Sequence, residues 1–250
     1  MTGSGDSATP LGAWMLLGVA LLAVSSAGAV LQAMGEIPPV LRASWRMQGT
    51  ALVLLPGFVY QFRKMDRSTL TPRDWQIMLA SSAFLAIHFG SWVWSLDHTS
   101  LIHSLLFVSS HPLVLVLLMP LIGAAVRKGH IVGVLVGFAG ALLSLGDAKP
   151  GGEVTLMGDV AAFLGALTVV GYLFAGRYLR SQRQVPIFVY AFPVTFFAGV
   201  WLAAASVLQE GSGLGDVVPE LSLFGWSDAC LLYTSPSPRD LSTSRMPSSA

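Results

Sequence analysis

Two histidines and an arginine interrupt runs that are otherwise almost wholly apolar. His88 lies in "AIHFGSWVW" and His111 in "SSHPLVLVLLMP". A neutral imidazole, with an unperturbed pKa of about 6.5, can hold a solute or pass a proton. Trp92 follows His88 by four residues, so a helix places both on one face. Trp94 points elsewhere and suits an interfacial belt. Arg42 and Arg46, in "VLRASWRMQ", are also four apart. Arg42 is shallow enough to snorkel outward. Arg46, at a depth of roughly 12 Å, is not, and would meet an anionic solute or pair with Glu36 or Asp159. Each has a competing structural reading. A histidine can simply bond a neighbouring helix, and Trp92 can anchor at the lipid interface.

Other chemistries find little support. The histidine separations are 10, 5, 8 and 19, with no HxxxH or HExxH, and Asp97-His98 stands as a lone pair in a loop. Metal catalysis is therefore not expected, nor is any cofactor. His98, His103 and His130 fall at loops or helix ends and read as interfacial. No GxSxG or supported Ser/His/Asp set occurs, so no enzyme is indicated. The single cysteine, Cys230, excludes a disulfide framework.

The elements that position these residues follow from composition. Of 250 residues, 54% are hydrophobic and 11% charged, against roughly a quarter charged in a soluble domain. The mean hydropathy is +0.68. The reading is an all-α integral membrane protein, because lipid leaves backbone groups outside helices unsatisfied. A net charge of +1 gives no reason to expect nucleic acid. Residues 1–10 carry no Lys or Arg before the first apolar run, which argues against a cleaved signal peptide.

Seven segments approach the roughly 20 apolar residues a span needs: 11–34, 38–60, 75–96, 100–125, 130–146, 154–176 and 186–208. An eighth begins near 219. Pro112 and Pro193 lie inside spans, where they free carbonyls. Gly133, Gly137 and Gly140, and Gly158, Gly165 and Gly176, read as close-packing surfaces. Lys and Arg fall in alternate connections: nine in 61–74, 126–130 and 177–183, against Lys149 alone in the others. This bias places the N-terminus and the basic loops in the cytoplasm. Five spans return the chain on the opposite side, so the block from 154 starts with inverted topology, the usual build of secondary transporters.

Specific stretches then resemble a known family. "AIHFGSWVWSLDHTSLIHSLLFVSSHPLVLVLLMPLIG" (Ala86 to Gly123) resembles the third and fourth helices of EamA-type drug/metabolite transporters. Those have a short Thr-Ser connection, then serines and a proline, here Thr99, Ser100, Ser104, Ser109, Ser110 and Pro112. "HIVGVLVGFAGALLSLG" resembles the fifth helix, and "GDVAAFLGALTVVGYLFAGRYLR" the helix opening the second repeat. Arg46 matches a common family arginine. The family's Glu-Arg pair between helices four and five is not matched by "GAAVRKGH", so no glutamate role is carried over.

The resemblance implies two inverted five-helix repeats, ten helices in all. The chain is then expected to hold a first repeat over 11–146 and a partial second over 154–229, truncated after about seven to eight helices. "CLLYTSPSPRD" resembles a translated sequencing-library adapter, so 230–250 is set aside as an artefact rather than a genuine Ser/Pro tail.

The implied function is alternating-access transport of a small metabolite or drug, with export favoured, across a plasma, inner or organelle membrane. Expected partners are a small-molecule solute, the bilayer and a coupling proton, and a homodimer is an allowed assembly. His88, Trp92, His111 and Arg46 are the expected substrate-binding residues. Alternatives are a nucleotide-sugar or sugar-phosphate antiporter, a histidine-dependent membrane enzyme, and a non-transporting scaffold.

Overall fold

The computed structural model describes residues 11–122, 125–145 and 154–217. Eight α-helices run through them: α1 (Leu11–Ala33), α2 (Pro39–Lys64), α3 (Pro72–Leu96), α4 (Leu101–Val108), α5 (His111–Leu118), α6 (Lys128–Leu145), α7 (Leu156–Arg177) and α8 (Ile187–Gln209). The described residues contain no strand. The N-terminal segment 1–10, Lys149, the run beginning near 219 and the 230–250 tail lie outside them.

Local signals set the helix starts. Pro39 and Pro72 occupy first turns, where a missing N–H costs nothing. Thr71 and Asp74 form a reciprocal capping box on α3. Ser100 caps α4 through His103 N, and Thr155 caps α7 through Gly158 N. Pro38 cannot cap α2 with its side chain, and Glu210, just past α8, does so instead. Its carboxylate accepts from Val40 N at 2.8 Å and Leu41 N at 3.0 Å. An anion at a helix N-terminus is also favoured by the helix dipole.

The span expected over 100–125 is present as the apolar segment Leu101–Leu118, followed by a 3₁₀ turn (Met119–Ile122), but its helix is broken in two. Pro112 is the cause. In the first turn of α5 it is harmless, whereas in a continuous helix its ring would meet the Val108 carbonyl and break the ladder. The chain turns at Ser109 and Ser110, and the Ser110 hydroxyl returns to Phe107 O at 2.6 Å.

Four apolar segments are long enough to cross a membrane: Pro72–Leu96, Leu101–Leu118, Leu156–Gln182 and Ile187–Gln209. Shorter apolar stretches lie at Leu17–Ala33 and Lys128–Gly140. The protein is a multi-pass, all-α membrane protein. α2 has 26 residues but is not among the four. Two of its polar residues, Arg42 and Ser44, are buried, and Ser44 donates to Gly199 O on α8 at 3.1 Å.

α3 lies at the centre, against α1, α2, α4, α7 and α8, while α2 packs along α8 and α3 along α7. Ala43, Ala162, Ala166 and Ala198 are fully buried and let backbones approach. The glycine expectation holds in part. A Cβ on Gly165 or Gly176 would touch neighbouring helices, one on Gly158 the turn between α3 and α4, and one on Gly137 would touch Leu113. Gly133 and Gly140 face open space among the described residues, so close packing is not their role there.

At the basic end of the bundle, Arg183 grips Asp74 with two bonds, Nε to Oδ1 at 3.1 Å and Nη2 to Oδ2 at 3.0 Å. The Asp74 carboxylate holds the Arg183 guanidinium above its ordinary pKa. Gln61 accepts from Phe188 N at 2.9 Å, tying α2 to the start of α8.

Candidate functional site

Three of the polar clusters among the described residues bear on the site. The first joins α2 and α3. The His88 and Trp92 rings lie nearly parallel, 6.4 Å apart between centroids, as their four-residue spacing requires. Phe89 meets His88 edge-on at 4.8 Å. Arg46 Cζ lies 4.9 Å from the centre of the Phe89 ring and 5.5 Å from that of Trp92. Both distances suit cation–π contact. Trp92 is 7% exposed, and its indole N–H is buried with no acceptor among the described residues.

His88 Nδ1 lies 2.8 Å from the Gly165 carbonyl on α7. A carbonyl only accepts, so Nδ1 carries the proton, and the neutral ring presents Nε2 as an acceptor. His111, at the start of α5, bonds Val108 O through Nδ1 at 3.3 Å. It and Arg46 are both within electrostatic range of His88. Of the four residues singled out from sequence, Arg46, His88 and Trp92 are thus drawn together from α2 and α3, with Phe89 added, while the hydrogen bond of His111 is to its own segment.

The second cluster corrects the reading of Arg42. Rather than snorkelling, Arg42 is buried, 1% exposed. It donates through Nη1 to Leu31 O on α1 and pairs through Nη2 with Asp97 beyond α3. Three helices therefore meet on one guanidinium. Asp97-His98 is not a lone pair either, because the His98 ring stacks on Trp94 with centroids 3.5 Å apart.

The third cluster corrects His103, which is buried rather than interfacial. Its Nδ1 lies 3.1 Å from Asp159 Oδ2 on α7. Thr99 Oγ1 donates to Asp159 Oδ1 at 2.7 Å. The structure therefore gives Asp159 to Thr99 and His103, rather than to Arg46 as one sequence reading had it. A signal was available: Asp159 is an acidic residue opening an apolar run. Its partner, 56 positions earlier, was not legible.

Two further features bear on the site. A concavity lined by Leu55, Pro56, Val59, Tyr60, Arg63 and Lys64 lies on α2 alone. Among the described residues no groups from other helices line it, so it is a poor solute site. Among the described residues, no three His, Cys, Asp or Glu side chains could hold a metal ion.

The clusters differ in what they offer chemically. Arg42–Asp97 has its partners within the protein. The Arg46–His88–Trp92 group presents donors, an acceptor and aromatic faces, and the Trp92 donor is unfilled among the described residues. A family model, the EamA-like transporter family, matches residues 10–146. No curated protein and no solved structure matches the chain.

Proposed function

This chain belongs to the EamA-like transporter family, and from that premise we propose that it carries a small polar or amphipathic metabolite, bound by Arg46, His88, Trp92 and His111. The observation that carries the assignment is the Trp92 indole N–H, buried without an acceptor among the described residues and beside the Arg46 guanidinium. A buried unsatisfied donor costs about 1–3 kcal/mol, and a solute oxygen placed there recovers it. Indole and guanidinium only donate, so the matching solute group is an acceptor, foremost a carboxylate. His88 Nε2 is an acceptor for a solute ammonium. An amino acid or a relative fits both halves.

The same chemistry weighs against a phosphate-bearing substrate, which calls for several converging cations. Arg42 is committed to Asp97 and Leu31. Among the described residues, Arg46 is then the guanidinium that reaches the aromatic cluster.

The carrier works by alternating access between two inverted repeats, 11–146 and the partial repeat from 154, with the N-terminus cytoplasmic and export favoured. The alternation of basic loops supports that orientation. Opposite the basic end, Arg42–Asp97, Glu210 on α2 and Asp159 on Thr99 hold the helices together. These ties must loosen for a solute to pass, and Asp74–Arg183 is their counterpart at the basic end.

In reconstituted vesicles, His88→Ala is expected to abolish flux of labelled amino acids while membrane insertion stays intact. Unchanged flux in that variant would remove His88 from the site.

A further inference from the structure

Asp159 lies in the first turn of α7, three residues from its start and therefore about 5 Å along the helix axis. Its side chain is 1% exposed, and that of its partner His103 is 8% exposed. Burying an ionised carboxylate beside a neutral imidazole leaves a net negative charge in a poorly solvating medium. One proton removes that charge. Nδ1–H donates to Asp159 Oδ2 whether or not the ring is charged, so the exchanging proton belongs on His103 Nε2. With it the pair is an imidazolium and a carboxylate, net zero; without it the pair is net −1. Thr99 Oγ1 and the N-terminus of α7 stabilise the carboxylate in both states.

Among the described residues, few other charges compete at this point. On α3, Asp97 is held by Arg42, His98 stacks on Trp94, and His88 bonds Gly165 further along α7. α5 offers His111, bonded to Val108 O. On α6 the described Lys128 and His130 lie at the far end, and the described part of α1 has no ionisable residue. His103 is the only ionisable side chain of α4.

The pair is also a mechanical link. Through it and Thr99, α7 is fastened to α4 and to the turn between α3 and α4, with Thr155 Oγ1 donating to His98 O beside it. We propose that His103–Asp159 is a proton-binding site that closes α7 onto α4 when it holds its proton and draws in water and parts the helices when it does not. Its use in coupling solute movement to protons rests on the carrier reading above. The proton binding itself does not.

The test places spin labels at Ile102→Cys and Met157→Cys, 77% and 70% exposed at the adjoining ends of α4 and α7. The full chain, with Cys230→Ser, is reconstituted in nanodiscs. Pulsed dipolar distances are compared at about pH 5 and about pH 8, the range over which histidine changes charge. The longer-distance population should grow towards the higher pH, and Asp159→Asn should remove that dependence. His103→Gln makes the same comparison if the asparagine variant does not insert. A distribution unmoved by pH in the parent chain overturns the proposal. So does one that moves equally in parent and variants, because another group would then be titrating. Vesicle flux is read separately, and its absence counts against the carrier reading while leaving the distance result standing.

Discussion

Asp97→Ala is expected to destabilise the protein by about 3–5 kcal/mol, the cost of stranding a buried charge. The Arg42 side chain is fully buried, and that of Asp97 is 23% exposed. Among the described residues, the guanidinium without Asp97 keeps only Leu31 O, and its Nε already lacks a partner. Arginine cannot shed its proton to escape, as a buried lysine can. The reverse change is milder. Arg42→Met leaves a carboxylate that water already reaches and fills the vacated space with a flexible apolar chain. The double variant should recover most of the loss, because no unpaired buried charge remains. Thermal unfolding in detergent reads the order: Asp97→Ala lowest, Arg42→Met and the double variant well above it. Equal loss in both single variants would mean that the pair matters as packing rather than as charge.

Gly158→Ala is expected to be the second most damaging single change. A Cβ there would sit 2.6 Å from His98 O and 2.6 Å from Thr99 Cβ. His98 O is backbone and cannot step aside, so α7 must retreat from the turn between α3 and α4. That retreat strains the Thr99–Asp159 bond at 2.7 Å and the Thr155 bond to His98 O. Overpacking of this kind costs about 1–3 kcal/mol, and the lost hydrogen bonds add to it. Gly137→Ala is the matched control. Its Cβ would also come within 2.7 Å of another atom, but that atom is Leu113 Cδ1, the tip of a movable side chain. The gain of about 0.5–1 kcal/mol from replacing a mid-helix glycine should then roughly offset the repacking. Equal unfolding temperatures for the two variants would contradict this account of the α7 approach.

The sequence carried the class of fold because its signals are local. Apolar run lengths placed α3, α7 and α8 to within a few residues. The break at Ser109 and Ser110 was harder to read. Pro112 was visible, but a proline inside an apolar run can either kink a helix or end it. What decided here was the turn closed by Ser110 on Phe107.

The site divides along the same line. His88 and Trp92 share a face by spacing alone. Arg42 and His103 were misread because depth along one helix says nothing about partners on another, and theirs lie 55 and 56 positions away. Glu210 capping α2 across a separation of 170 residues is a third such contact. Each is a tertiary pairing, with no periodicity to reveal it.

The central claim is that the unfilled Trp92 donor belongs to a solute site, and Trp92→Phe tests it most directly. The substitution keeps an apolar ring against His88 and Phe89 and removes the N–H. Flux of carboxylate-bearing amino acids would be measured in proteoliposomes alongside unfolding temperature. The account predicts a KM raised about tenfold, equivalent to one hydrogen bond of about 1.4 kcal/mol. Stability should be unchanged or improved, because a buried donor without an acceptor has been removed. An unchanged KM together with lowered stability would contradict it and make Trp92 a packing residue alone.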